Sequence, residues 1–402
     1  MKRLRTVGLA STALAISLLA SACGGGSEGG GGDEVIKLGQ VLPINSVQAA
    51  LAKTQVVGGQ IAADEINADG GIDGKQIKII VKDNKLEAAR VGTVLRELND
   101  EGVKLTFGYE TSPECQAGAE AAVRLGQLVL ANHCSSPLLT SPKPASDSFY
   151  MLSANGDEIS DAAGKYLATS KSGIKDWDVF GYDADITRNN WKNMQKAMTS
   201  AGGTVEENQA FWVPVDATNY RSQLTKQVSG QVGTKETRGL FMSTYGAGTT
   251  SYLKQAEPLG VLDDYSAIVT LGAFWQSAVS MNGTAPEITN VHEYFAGCQD
   301  NEMDSKFIAA YEKEMKTLPD AGAYQAYVGV KFYAAAIEKA GSADPKAVQK
   351  AFDGLSIDTP TGQKLTMDGT THKASSPITI ARLVGDSSAK DGVKVISCEE
   401  AS

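Results

Sequence analysis

The chain is predicted to be an α/β protein made of two doubly wound lobes. Three observations carry that expectation. From residue 35 onward, short β-branched runs alternate with segments of helical period. The loops between them are short. The whole series then restarts after Ser153. Strand–helix alternation with short connections implies parallel sheet covered on both faces. Once an N-terminal leader is set aside, about 380 residues remain, enough for two domains.

In the first series, residues 35–42 form a short apolar strand and residues 49–67 carry apolar side chains at helical spacing. The turn Asn67-Ala68-Asp69-Gly70-Gly71 stops that helix. Strands at 76–81, 103–107 and 127–131 then alternate with helices at 86–98 and 115–125. The second series has helices at 158–169, 189–201, 220–228 and 252–259 and strands at 177–182, 204–213, 239–244 and 267–271. Two further helices, 305–315 and 324–340, precede a strand-rich tail at 362–397 with Gly/Asp turns such as Met367-Asp368-Gly369.

The N-terminus reads as an export signal. Lys2, Arg3 and Arg5 lead an apolar stretch from Val7 to Leu19, which gives way to small residues and Cys23. The stretch is shorter than the roughly 20 residues that span a bilayer. Cys23 at the expected cleavage point resembles the lipobox of bacterial lipoproteins, although Ala20 stands where that motif usually has Leu. The resemblance implies a diacylated Cys23 as the mature N-terminus. The Gly-rich run 24–32 then reads as a flexible tether.

Composition narrows the function classes. The formal charge is -10, and loss of the signal's three basic residues takes it to -13. An acidic body argues against nucleic acid as a partner. Of five cysteines, Cys23 is set aside for lipid, and Cys115, Cys134, Cys298 and Cys398 form an even set suited to an oxidising compartment. Four cysteines allow three pairings, and four free thiols are the alternative. There is no Gly-x-Ser-x-Gly elbow, no phosphate-binding loop and no Cys-x-x-Cys, and His133, His292 and His372 lack partners at metal-ligand spacing. Neither an enzyme nor a metal or organic cofactor is expected.

Several stretches carry a family resemblance. The run Asp64-Glu65-Ile66-Asn67-Ala68-Asp69-Gly70-Gly71-Ile72-Asp73-Gly74-Lys75 resembles the first helix–turn–strand signature of the leucine/isoleucine/valine-binding protein family. Ser135-Ser136-Pro137-Leu138-Leu139-Thr140, then the run from Ala335 to Gly341, then Pro360-Thr361-Gly362 are similar to later family segments in the same order. The resemblance covers residues 35 to about 395. It implies a type I periplasmic-binding fold, the Venus flytrap, with lobes joined by a three-segment hinge. It also implies one small polar ligand (an amino acid, amide or related organic acid), ABC transporter permease subunits as partners, and a monomer held by its lipid anchor on the extracytoplasmic face of the cell membrane. A sensing receptor of the same fold, feeding a signalling partner, is the second class it allows. The expected organisation is signal 1–22, tether 23–34, lobe one 35–154 plus 290–358, and lobe two 155–289 plus 359–402.

The same resemblance points to the ligand contacts. In lobe one they are Tyr109 and Ser112 on the loop after the third strand, and Cys134 and Ser135 on the next loop. A helix beginning near Cys115 would favour an anionic ligand group. In lobe two they are Asp185, Tyr245 as a rigid lid, and Phe274. Amino-acid binders of this family hold the ligand's ammonium with a carboxylate after the strand corresponding to 267–271. This chain has Gly272-Ala273-Phe274-Trp275 there. Either Asp185 or Glu110 supplies that charge, or the ligand is not an α-amino acid. Within this layout Cys115 is expected to pair with Cys134, at the ends of adjacent βα units, and Cys298 with Cys398.

Overall fold

The computed structural model describes residues 35–272 and 274–401. The leader, Cys23 and the tether lie outside the described residues. The first sheet holds β1 (Ile36–Leu42), β2 (Ile77–Asp83), β3 (Leu105–Gly108), β4 (Leu128–Ala131) and β5 (Phe149–Met151), all parallel. Their order, β5-β4-β3-β1-β2, makes the sheet doubly wound. Between them run α1 (Ala49–Ala68), α2 (Ala88–Asp100) and α3 (Ser112–Leu125).

The second sheet is built from β6 (Asp176–Tyr182), β7 (Glu206–Val213), β8 (Arg238–Ser243), β9 (Ala267–Leu271) and β10 (Ile288–His292). Its helices are α4 (Gly156–Ser170), α5 (Asp185–Ser200), α6 (Arg221–Ser229), α7 (Ala247–Ala256) and the short α8 (Trp275–Val279). Every residue of β6 and of β10 is buried, as expected for strands covered on both faces.

The chain then returns to lobe one as α9 (Glu302–Met315), α10 (Ala321–Ala340), α11 (Pro345–Phe352), β11 (Ser356–Asp358), β12 (Lys364–Asp368) and β13 (Lys373–Ala374). The last two, β14 (Thr379–Gly385) and β15 (Val393–Glu400), close the second sheet, whose order is β15-β14-β10-β9-β8-β6-β7. Each sheet separates two apolar cores. One core of lobe one gathers Phe107, Leu130, Phe307, Tyr324 and Phe352, and one of lobe two gathers Phe180, Tyr252, Phe274 and Leu383. Helices α1 and α10 cross so closely at Gly58 that any Cβ would fall 2.1 Å from the Ala323 carbonyl oxygen.

Two lobe boundaries differ from the sequence expectation. Residues 359–374 belong to the first lobe, because Lys373 pairs with Met151 and both Met367 and Ala374 are buried in that lobe's core. The third crossing is therefore 375–378. The second begins after His292, since β10 is hydrogen-bonded between β9 and β14. The first crossing spans 152–155. The crossings touch one another: the Ser376 hydroxyl donates to the Leu152 carbonyl and the Ala154 N–H to Glu293.

The disulfides are Cys115–Cys134, with Cα atoms 6.5 Å apart, and Cys298–Cys398, with Cα atoms 5.6 Å apart. The first ties α3 to the loop after β4. The second ties the second crossing to the outer strand of the second sheet.

Candidate functional site

Ligands of open α/β sheets bind beyond the carboxyl ends of the strands. Here those ends meet across the lobes. The His133 ring, after β4, stacks at 6.0 Å on His292, the last residue of β10. Gln48, ahead of α1, lies against Gly246, where a Cβ would fall 2.2 Å from the Gln48 side-chain oxygen. Gly246 also has φ +58°, so glycine suits the position twice over. Gln276 of α8 donates to Asp320, the N-cap of α10, at 3.3 Å.

The loop after β3 is held rigidly. Thr111 and Glu114 form a reciprocal capping box at the start of α3, and Glu114 also accepts from the Glu110 N–H at 2.9 Å. That frame turns Glu110 into the cleft, where it is buried. Its carboxylate accepts from Gln55 at 2.6 Å and faces His133 Nε2 at 3.5 Å. His133 Nδ1 meets the Gln325 side-chain oxygen, and the Gln325 amide donates to Glu293 at 2.7 Å. A continuous polar chain thus runs from Gln55 in lobe one to Glu293 in the hinge.

Burial sets the charges along this chain. Desolvation raises the pKa of Glu110, and does the same for Asp320. It pushes Glu293 up to about 7, against the pull of its hydrogen bonds from Gln325 and Ala154 and of the charges of His133 and Lys373. His292, fully buried and facing His133, falls to about 3 and stays neutral. Burial also works against charge on His133, but Glu110, the Gln325 bond, Glu293 and Asp320 together lift its pKa above the ordinary value.

The residues singled out from the sequence reach different places. Tyr245 is half-buried with its ring edge-on to Tyr182 at 4.9 Å. Burial first, then the charges of Glu110 and Glu114, push it up to about 12. Phe274 is buried in lobe two and lines the cleft. Ser112 and Ser135 are both half-buried: the Ser112 hydroxyl accepts the Ser136 N–H at 3.1 Å, and the Ser135 carbonyl accepts the Gly156 N–H at 2.7 Å, across to α4. Cys134 is committed to its disulfide.

Two expected contacts lie away from the polar cluster. The Tyr109 backbone adopts φ +67°, which sends its ring under α3 into the core, with its hydroxyl 2.9 Å from Thr106 Oγ1. Asp185 is exposed in the first turn of α5, outside the buried cluster, so Glu110 rather than Asp185 brings a carboxylate to the cleft. Sequence reading missed Asp320, Glu293 and Gln325. Asp320 carried a signal, because a Pro-Asp pair just before a long apolar helical run marks an N-cap.

With the lobes together, a cavity of about 10 Å³ remains, lined by Gly272, Phe274, Trp275, Asn290, His292 and Asp320 among others. That is the scale of one water molecule. Among the described residues, no helix is long and apolar enough to cross a membrane, and no group of three His, Cys, Asp or Glu is placed to hold a metal ion.

The buried Glu293 predicts a pH signature. Between the ordinary glutamate value of 4.5 and about 7, the folded protein keeps a proton there that the unfolded chain has released. This group therefore costs stability as pH rises through that window, by at most about 1.4 kcal/mol per pH unit. Glu293→Gln removes the effect. Thermal unfolding from pH 5 to 8 should show the variant losing stability relative to the parent as pH falls from 7 to 5. Parallel curves would contradict a buried, protonatable Glu293.

Comparison with known proteins agrees with this architecture. The periplasmic binding protein family matches residues 35–390. A leucine-, isoleucine-, valine-, threonine- and alanine-binding protein of Pseudomonas aeruginosa is 20% identical over 332 residues, covering 82% of this chain and 85% of that one. A solute-binding protein of an ABC transporter from Rhodopseudomonas palustris, solved with 3,4-dihydroxybenzoic acid, superposes with a TM-score of 0.77 at 20% identity, over 91% of this chain and 98% of that one. A branched-chain amino acid transporter substrate-binding protein of Streptococcus pneumoniae, solved with isoleucine, gives 0.76 at 22% identity, over 91% and 99%. Two α/β lobes, three crossings and a match over most of its length make this chain a member of the periplasmic binding protein family, with the type I fold.

Proposed function

We propose that this chain is the lipid-anchored, extracytoplasmic solute-binding component of an ABC importer, delivering a small polar molecule to the permease subunits. The observation that carries the reading is the cleft, where a buried, hydrogen-bonded polar cluster lies between two lobes joined only by narrow crossings. In this arrangement the Gln48, Gln55 and Asn290 side-chain oxygens and the Trp275 N–H are buried without a protein partner. An unmade bond costs about 1–3 kcal/mol per buried group. A solute that supplies the missing partners therefore favours the closed form, and hinge closure becomes dependent on the solute. The named ligands of the relatives, branched-chain amino acids and hydroxylated benzoic acid, support a small organic solute. Ser112 and Ser135 of lobe one and Tyr245 of lobe two are the proposed contacts, with Glu110 meeting the solute's donor groups.

The test is a thermal-shift screen of the purified protein against amino acids, amides, aromatic acids and polyols. A true solute at about 100-fold over its Kd adds roughly 2.7 kcal/mol of stability. A screen with no stabilising compound in any class would count against solute binding.

The anchor is tested separately. Two acyl chains hold a protein firmly on a membrane, whereas one is marginal. Cys23→Ser should release the protein from the membrane fraction of the cells that express it. Retention equal to the parent would remove the lipid from the account.

A further inference from the structure

We infer that Asp391, on the turn between β14 and β15, sets solute affinity from outside the cleft by latching the two lobes together in the closed form. The inference rests on the solute-binding reading above and names a residue that tunes it without touching the solute.

The second-lobe half of the latch is the turn 386–392. Its backbone closes through the Asp386 N–H on the Gly392 carbonyl at 3.0 Å, and the Asp386 carboxylate accepts the Ser388 N–H at 2.9 Å. The turn lies tightly on the segment after α8. A Cβ on Gly283 would fall 2.8 Å from the Ser387 Cα, and one on Gly392 would fall 2.8 Å from the Gly283 nitrogen. The turn is thus part of the packed body of lobe two. Asp391 sits on it with φ +60°, a left-handed backbone that aspartate tolerates better than most residues.

The first-lobe half is the end of α9 and its connection to α10. The Leu318 N–H, on that connection, donates to the Asp391 carboxylate at 2.6 Å. Leu318 itself is half-buried and packs against cores of both lobes. Glu312, in the last turn of α9, pairs with Lys390. Ten residues of helix separate Glu312 from Glu302, where α9 leaves the second crossing, a rise of about 15 Å. None of Glu312, Lys390 and Asp391 lines the cavity between the lobes.

The two polar contacts differ in weight. The Lys390 and Glu312 side chains are 49% and 29% exposed, so their ion pair contributes little. The Asp391 bond gives a backbone N–H a charged acceptor, which is the stronger class. It is also sensitive to lobe separation, because stretching it by about 1 Å takes it beyond hydrogen-bond length. A contact made only in the closed form favours that form whatever the solute. It therefore tightens apparent affinity for every solute by the same factor.

The test compares the parent with Asp391→Gly and Asp391→Asn. Glycine takes φ +60° without strain, so it removes the carboxylate alone. Asparagine also tolerates that backbone and keeps an acceptor oxygen. The probes are leucine, isoleucine and 3,4-dihydroxybenzoate, read by isothermal titration and by stopped-flow dissociation. Each probe that binds the parent should lose about tenfold in affinity in Asp391→Gly, as for a hydrogen bond to a charged group. The loss should fall on the dissociation rate, with association unchanged, and Asp391→Asn should recover most of it. Glu312→Gln should change affinity less than about fivefold. Parental affinity in Asp391→Gly, or a loss confined to one probe, would overturn the latch and leave solute binding standing. Binding of none of the probes by the parent would count against both.

Discussion

A single buried acid, Glu293, ties together two of the crossings between the lobes. It accepts the Ala154 N–H from the first crossing, sits on the second crossing itself, and takes the Gln325 amide of α10. Two lobes that each own complete cores can be joined by narrow strands of chain only if the backbone groups of those strands are satisfied once buried. The hinge meets that demand with side chains rather than with a sheet.

The cleft inherits its chemistry from the same constraint. Gln325 bonds Glu293 on one side and His133 on the other, and His133 faces Glu110, which Gln55 steadies. The proposed solute contact Glu110 is therefore linked to the hydrogen bonds of the crossings. Most of the cluster is acidic or neutral, since burial keeps His292 uncharged. Burial holds Glu110, Asp320 and Glu293 above ordinary carboxylate values, which a cationic neighbour would reverse.

Much of the architecture is legible in the sequence because local patterns carry it. Alternating strand and helix runs place β1 to β4 and β6 to β9 within a few residues of where they stand. What escapes is non-local. The three-residue β5 and five-residue α8 are too short for periodicity to register. Strand β10 carries the polar Thr289 and Asn290, which blur an apolar run; Asn290 is kept because its amide donates to the Thr270 and Gly272 carbonyls. The β12–β13 hairpin looks like the strands that follow it, and only tertiary contacts, the pairing with Met151 and the burial of Met367 and Ala374, assign it to lobe one. At the cleft, Tyr109 reads as a loop aromatic free to meet a solute until its left-handed backbone turns it inward. Asp320 reaches the cleft only when α10, the second helix of the returning segment, is laid against α1 and its cap meets Gln276 from the other lobe.

The central claim is that the lobes close on a solute about this hinge. Small-angle X-ray scattering of the purified protein, with and without a saturating amount of the solute that most raises its unfolding temperature, addresses that claim most directly. The account predicts a smaller radius of gyration with solute bound, and a scattering curve matching the closed arrangement described here. Identical curves with and without saturating solute would contradict it.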